Sequence, residues 1–414
     1  MNPTTDHKTF SSRRWLIAGL VAAAAAGAIA AWRLATPSAD VPRAATPAAP
    51  AAATTTTTIT DLLGRKVQVR LPVQRVMLGE GRQLYLLAAL DTEDPLHRIV
   101  AWRKDMIQAD PDTYALYKAR FPKIADIPTF GGFEDGTFDI EQAIALKPDV
   151  ILLNVEAQRA TDDARYIDKL DAVGIPVVYV DFRHQPVENT EPTMRLFGQL
   201  LGKEARAQAL IDFRRQQLAR VTDVIAARQP QRPKVFIERI GGYSQDCCLT
   251  FGDENFGRYV EMAGGTNIAK GLVPGTFGQL NAEQVLATDP AHVVVTSANW
   301  EAYVPGGRWI GVGPGADLAE ASRKLEGYLA RPAYAATSAQ RNRAFHAIWH
   351  QFYNSPYQFV AVQQLAKWLH PELFADLDPD ATFRELHERF LPIAYRPGYF
   401  VSLAREAAAK GDAP

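Results

Sequence analysis

Apolar positions follow two alternating rhythms along this chain. Short apolar runs bounded by Gly, Pro or charged residues predict strands. Stretches with apolar residues three and four apart predict helices. Residues 59–71 (ITDLLGRKVQVRL) alternate around Gly64 and predict a β-hairpin. Residues 73–78, 98–102, 150–153 and 176–180 then predict strands, and 83–90, 110–120, 138–146 and 160–173 predict the helices between them. This strand–helix alternation argues for parallel sheets joined by helical crossovers. The middle of the chain differs. Residues 191–201 predict a helix ended by Gly202, and 203–228 contain neither Gly nor Pro. Leu210, Phe213, Leu218, Val221, Val224 and Ile225 recur there at helical spacing, predicting a rod of about 39 Å. Alternation then resumes with strands at 234–239, 292–297 and 344–349 and helices at 255–263, 282–286, 356–370 and 382–390. The pattern predicts two α/β lobes flanking one long helix.

An internal repeat supports two related lobes. Residues 139–153 (DIEQAIALKPDVILL) align without a gap with 281–295 (NAEQVLATDPAHVVV), an offset of 142 residues. Glu141 falls on Glu283, Gln142 on Gln284, Ala145 on Ala287 and Pro148 on Pro290. The matched glutamate at each helix start favours a shared role, and the helix dipole alone would also explain an acid there.

Composition narrows the class. Of 414 residues, 47% are hydrophobic and 22% charged, which excludes a disordered chain and suffices for two domains. The formal charge of −1 provides no general basic field, so nucleic acid is not an expected partner. The only cysteines, Cys247 and Cys248, are adjacent, which excludes a multi-cysteine zinc site and a disulfide framework. Two small core residues are expected, because a disulfide between neighbours is strained. Arg13-Arg14 followed by 18 uncharged residues from Trp15 to Trp32 reads as a twin-arginine export signal, or as a membrane anchor if retained. No cysteine follows it to carry a lipid. An Ala/Pro/Thr-rich linker is expected to reach residue 58. Lys8, Arg13, Arg14, Arg33 and Arg43 outnumber Asp6 and Asp40 in this region, so the remainder is mildly acidic.

Four segments together resemble the periplasmic substrate-binding proteins of ABC importers that take ferric siderophores, haem or cobalamin. They are residues 138–152 (FDIEQAIALKPDVIL), 170–178 (LDAVGIPVV), 262–267 (MAGGTN) and 280–286 (LNAEQVL). Residues 349–357 (WHQFYNSPY) and 366–374 (AKWLHPELF) resemble an iron-chelate branch. The resemblance covers residues 59–370. It implies two Rossmann-like lobes with central parallel sheets, joined by one long α-helix, with ligand between them. The expected organisation is a signal or anchor with linker at 1–58, an N-terminal lobe at 59–190, connecting helices at 191–230, a C-terminal lobe at 231–400 and a tail at 401–414. The resemblance also implies a periplasmic monomer that hands an Fe(III)-siderophore to an inner-membrane ABC permease. Glu141 and Glu283, one per lobe, fall on the positions that dock on permease arginines in that family; paired carboxylates suit guanidinium forks.

Ligands in such lobes sit beyond the C-terminal ends of the strands. Those positions hold Arg82, Trp102, Arg103, Arg239, Tyr243, Trp300, Trp349 and Tyr353. Arginines pair with anionic oxygen donors and aromatic rings stack on a chelate's rim, so these eight are the expected ligand-binding residues. Haem and cobalamin are alternative ligands, and an exported cofactor-dependent enzyme on the same fold is the alternative class. No nucleophile–base pair, phosphate loop or dinucleotide fingerprint supports catalysis, so no catalytic residues and no cofactor are expected. His346 and His350 are four apart, but they belong to a predicted strand end rather than a helix, so no metal site is expected.

Overall fold

A computed structural model of the chain describes residues 55–404 except 134–135 and 244–246. The export-signal reading and the linker as far as residue 54 lie outside the described residues. The fold starts earlier than the pattern suggested. Thr55–Thr60 (β1) pairs antiparallel with Lys66–Leu71 (β2), so the last threonines of the expected linker already form a strand. β-Branched threonine suits an extended backbone.

The strands that follow are Val76–Leu78 (β3), Ile99–Arg103 (β4), Thr129–Phe130 (β5), Val150–Asn154 (β6) and Val177–Val180 (β7). They form a parallel sheet in the order β5-β4-β3-β6-β7. Next come Lys234–Glu238 (β8), Leu249–Phe251 (β9), Thr266–Asn267 (β10), Phe277–Gln279 (β11), His292–Ser297 (β12), Phe345–Trp349 (β13) and Phe400–Ser402 (β14). The second large sheet runs β10-β8-β12-β13-β14, and β9 pairs with β11 apart from it. β14 enters antiparallel, with Ala347 opposite Val401. Residues 401–402, expected in a tail, therefore complete this sheet.

Between the sheets lie the helices Pro186–Leu201 and Glu204–Arg228. Gly202, at φ +66°, closes the first in a left-handed turn that only glycine takes without steric cost. The 25-residue second helix is the predicted rod, one residue shorter. The predicted helix over 160–173 is instead two short ones, Gln158–Asp163 and Tyr166–Asp171, broken where Arg165 turns left-handed at φ +54°.

Strand alternation sorts the core. In the first sheet Met77, Ile151, Leu153, Val177 and Tyr179 face one apolar cluster, while Val76, Leu78, Val150, Leu152, Val178 and Val180 face another. In the second sheet Phe236, Val293, Val295, Phe345 and Ala347 face outward helices, and Val235, Ile237, Val294 and Ile348 turn the other way. The inward faces of both sheets share one continuous cluster with Leu210, Ile211, Phe213, Val221 and Ile225 of the long helix. That helix is also pinned by polar bonds. Glu191 accepts from Arg214 at 3.1 Å, and Gln363 Nε2 donates to the Gln217 carbonyl at 2.9 Å.

The repeat holds in three dimensions. Ile140–Leu146 and Ala282–Thr288 are helices at the 142-residue offset, capped by the side chains of Asp139 and Asn281. Each ends on a left-handed non-glycine residue, Lys147 at φ +46° and Asp289 at φ +48°, and feeds β6 or β12. β6 pairs with β3 as β12 pairs with β8.

The cysteines correct the sequence reading. Cys248 is buried in the core as expected, but it is joined to Cys247 by a disulfide.

Candidate functional site

The C-terminal ends of β3, β4 and β7 converge with those of β8, β12 and β13 on one polar cluster. Its centre is Glu80, buried just beyond β3. Arg82 forms ion pairs with Glu80 and, through Nε at 2.9 Å, with Asp105. Gly81 between them is required by space: a Cβ there would lie 2.5 Å from the Arg103 carbonyl. Arg183 Nη2 lies 3.0 Å from Glu80, and Nη1 pairs with Glu156. Asn154 and Asn354 complete the donors on Glu80.

The second lobe closes onto this cluster through residues 350–354, just past β13. Arg82 Nη1 donates to Gln351 Oε1 at 2.8 Å and to the Tyr353 hydroxyl at 2.7 Å. Arg183 donates to the same hydroxyl at 3.3 Å. Both guanidiniums also sit over the Tyr353 ring, at 5.2 and 5.3 Å from its centroid. Asn255 ties the lobes at the backbone, donating to the carbonyls of Arg183 at 2.6 Å and Tyr353 at 2.8 Å.

Burial opposes charge on Glu80, but Arg183, Arg82 and Arg103 outweigh it and hold its carboxyl below the usual carboxylate range. Asp105 moves the other way: burial and then the Glu80 charge push it up. His350, 4.3 Å from the Tyr353 ring, is kept neutral by burial and by Arg239, Arg82 and Arg183.

Arg239 stands apart. It follows β8, is half-buried, and lies 4.3 Å over the Phe277 ring. Among the described residues no carboxylate pairs with it, and its Nε has no hydrogen-bond partner. Burial lowers its pKa, leaving a guanidinium that gains from an anion. Beside it Tyr243 and Tyr303 are both 40% exposed and pack at 5.7 Å, with Trp300 edge-on behind Tyr243 at 6.2 Å. Trp300 in turn meets His350 at 5.3 Å.

The structure thus gathers Arg82, Arg103, Arg239, Tyr243, Trp300 and Tyr353, all selected from strand ends. It places Trp102 and Trp349 elsewhere. Both are essentially fully buried, Trp102 against Tyr114 and Trp349 among Tyr85, Phe352 and Tyr399. Trp102, next to last in β4, and Trp349, last in β13, follow the inward alternation. Arg183 and the acids Asp105 and Glu156 were missed as members, and Glu80, although it stands just beyond the end of β3, was not among the eight selected. Arg183 follows β7, so the strand-end rule, applied to residues 176–180, would have found it.

Glu141 and Glu283 are exposed in the first turns of matching helices. His346 and His350 diverge: His346 Nε2 lies 3.1 Å from His292 Nδ1, while His350 Nδ1 meets Thr296 Oγ1 at 2.9 Å. Among the described residues no group of three or more His, Cys, Asp or Glu is placed to hold a metal. No helix among them is long and apolar enough to cross a membrane.

The periplasmic binding protein family profile matches residues 76–348. The chain belongs to this family. Its two-lobed α/β fold superposes on the TroA-like periplasmic binding protein FepB of Veillonella parvula with a TM-score of 0.75 at 27% identity, over 83% of this chain and 99% of that one. The molybdate-bound protein MolA of Haemophilus influenzae shares the fold, with a TM-score of 0.61 at 21% identity over 82% and 99% of the two chains. In sequence, MolA is 23% identical over 365 residues, 82% of this chain and 92% of that protein. A vitamin B12-binding protein of Yersinia pestis is 28% identical over 184 residues, spanning 44% of this chain and 59% of that protein. Membership makes this a solute-binding component of an ABC importer and an exported, periplasmic protein by family.

Proposed function

We propose that this binding protein captures an anionic ferric siderophore complex between its lobes and delivers it to an inner-membrane ABC permease. The observation that carries the reading is Arg239, a half-buried cation without a carboxylate partner among the described residues, set beside the exposed rings of Tyr243 and Tyr303. Arg82 and Arg183 are matched by Glu80, Asp105 and Glu156, so they shape the wall, and Arg239 supplies the attraction. A chelate with anionic oxygens and a flat rim satisfies both features. Glu141 and Glu283, fixed at the same helical position in each lobe, are the permease contacts in this reading. Arg13-Arg14 would direct the folded chain to export.

One observation favours a second reading. The lobes already meet through direct bonds from Arg82 to Tyr353 and Gln351, which suits a small oxyanion such as molybdate. Titration of tryptophan fluorescence with ferric hydroxamates, ferric catecholates, haemin, cobalamin and molybdate separates the two, since Trp300 lies behind the rim. A ferric siderophore should quench at micromolar concentration or below, and Arg239→Gln should weaken binding by about 10- to 100-fold, the loss of one charge-assisted contact. Binding of molybdate alone selects the second reading. Silence from all five refutes the assignment of the cleft.

A further inference from the structure

Beyond the interlobe cleft, the C-terminal lobe holds a second concentration of positive charge. A pocket of about 500 Å³ is lined by Gly242, Arg308, Arg323, Lys324, Tyr328 and Arg331, among others. We propose that this pocket binds a ligand bearing a phosphate-like oxyanion, separately from the cleft.

Two of the four cations are held in place. Arg331 pairs with buried Glu238 and lies 4.2 Å over the Tyr328 ring. Lys324 pairs with Glu320 at 3.1 Å and sits 4.5 Å over the Trp309 ring. The other two, Arg308 and Arg323, are exposed and have no acidic partner among the described residues. The lining therefore carries two uncompensated positive charges on a chain whose formal charge is −1, so it does not reflect general basicity. Arginine forks match the oxygens of a tetrahedral anion in a way lysine does not.

Tyr328 forms the inner wall of the pocket. Its side chain is 4% exposed, yet its hydroxyl has no hydrogen-bond partner. Such a group normally finds one, because leaving it unpaired is costly. Burial and the nearby Glu238 keep its proton on, and the hydroxyl is closed off from solvent, so the exposed arginines carry the anion contact. The hydroxyl lies beside Gly241, where a Cβ would approach it to 2.8 Å, and Gly242 forms the adjoining pocket wall. Tyr243 of the cleft rim is the next residue, so the pocket and the cleft share this loop.

Free phosphate and a phospholipid headgroup present the same chemistry, and the test separates them. The full-length protein is titrated calorimetrically with inorganic phosphate at low salt. It is also co-sedimented with phosphatidylglycerol vesicles and, as control, phosphatidylcholine vesicles. One saturable phosphate site is expected, weakened at least tenfold by Arg308→Ser with Arg323→Ser. Both residues are exposed, so folding should be unaffected. Tyr328→Phe, which removes a hydroxyl closed off from the pocket, and Arg239→Gln in the cleft should both leave it unchanged. Vesicle binding that is lost in the double variant and displaced by phosphate assigns a headgroup; phosphate binding without vesicle binding assigns a soluble anion. The inference is overturned if neither probe binds up to 10 mM phosphate, a bound at about 3 kcal/mol of binding energy, if the double variant binds as the parent does, or if Arg239→Gln abolishes binding.

Discussion

Replacing Glu80 with glutamine removes one negative charge from a buried site that holds two arginines, with little change in shape. Arg82 and Arg183 would keep only Asp105 and Glu156, and Asn154 and Asn354 would face an amide in place of an acceptor carboxylate. Removing one partner of a buried ion pair costs about 3–5 kcal/mol, because the remaining charge stays desolvated. One response softens the loss. Asp105 is pushed up partly by the Glu80 charge, so the substitution makes it a better counterion and favours the lower figure. For about 350 folded residues the unfolding entropy is roughly 0.7 kcal/mol per kelvin, so a 3 kcal/mol loss lowers Tm by about 4 °C. Calorimetry at pH 7 measures this directly. Combining Glu80→Gln with Arg183→Gln should cost less than the sum of the two single losses, since the Glu80–Arg183 pair is lost only once, while Glu156 loses Arg183 in either background. A Glu80→Gln Tm within 1 °C of the parent, or two single losses that simply add in the double variant, would refute the charge-balance account.

Further outcomes follow from other parts of the fold. Lys147→Gly should stabilise by about 0.5–1 kcal/mol in chemical denaturation, because an exposed left-handed residue loses its steric cost. Asp289→Gly, at the equivalent position, should not gain, because its carboxylate accepts from Ser338 N and from Ser338 Oγ at 2.8 Å. Burial lowers His387 and His292 to about 4. Their neutral forms favour the folded state fully above the unfolded value near 6.5, and that contribution, up to about 3 kcal/mol each, is lost as pH falls from about 6.5 to 4. Asp110, raised by burial to about 6, acts with opposite sign, adding stability as pH falls below 6, so urea titrations should show His387→Gln flattening the acid limb and Asp110→Asn steepening it. Glu141→Lys with Glu283→Lys should abolish uptake in cells while leaving ligand affinity within twofold by calorimetry; a lost affinity would show that these residues belong to the binding site.

Most elements were legible because they obey simple periods. The long helix was visible from Leu210 to Ile225, and the repeat located matching helices that the structure reproduces down to their left-handed ends. The site was only partly legible. The strand-end rule found Arg82, Arg239 and Tyr353, but nearness to a strand's end does not tell which way a residue points, and Trp102 and Trp349 point inward. Nor does sequence reveal that Arg82 is spent on Glu80 and Asp105 while Arg239 is not. That depends on pairs such as Arg183 and Glu80, about a hundred residues apart. β14 escaped notice because three residues carry no measurable period, and the Cys247–Cys248 bridge because adjacency alone argues against it.

The apolar cluster shared by both sheets and the Glu204–Arg228 helix makes the protein hard to divide. A chain severed between Leu201 and Glu204 would wet Leu210, Phe213 and Val221 on one fragment and the strand faces they cover on the other. Fragments made apart should therefore precipitate, whereas fragments made together should reassemble and melt as a unit.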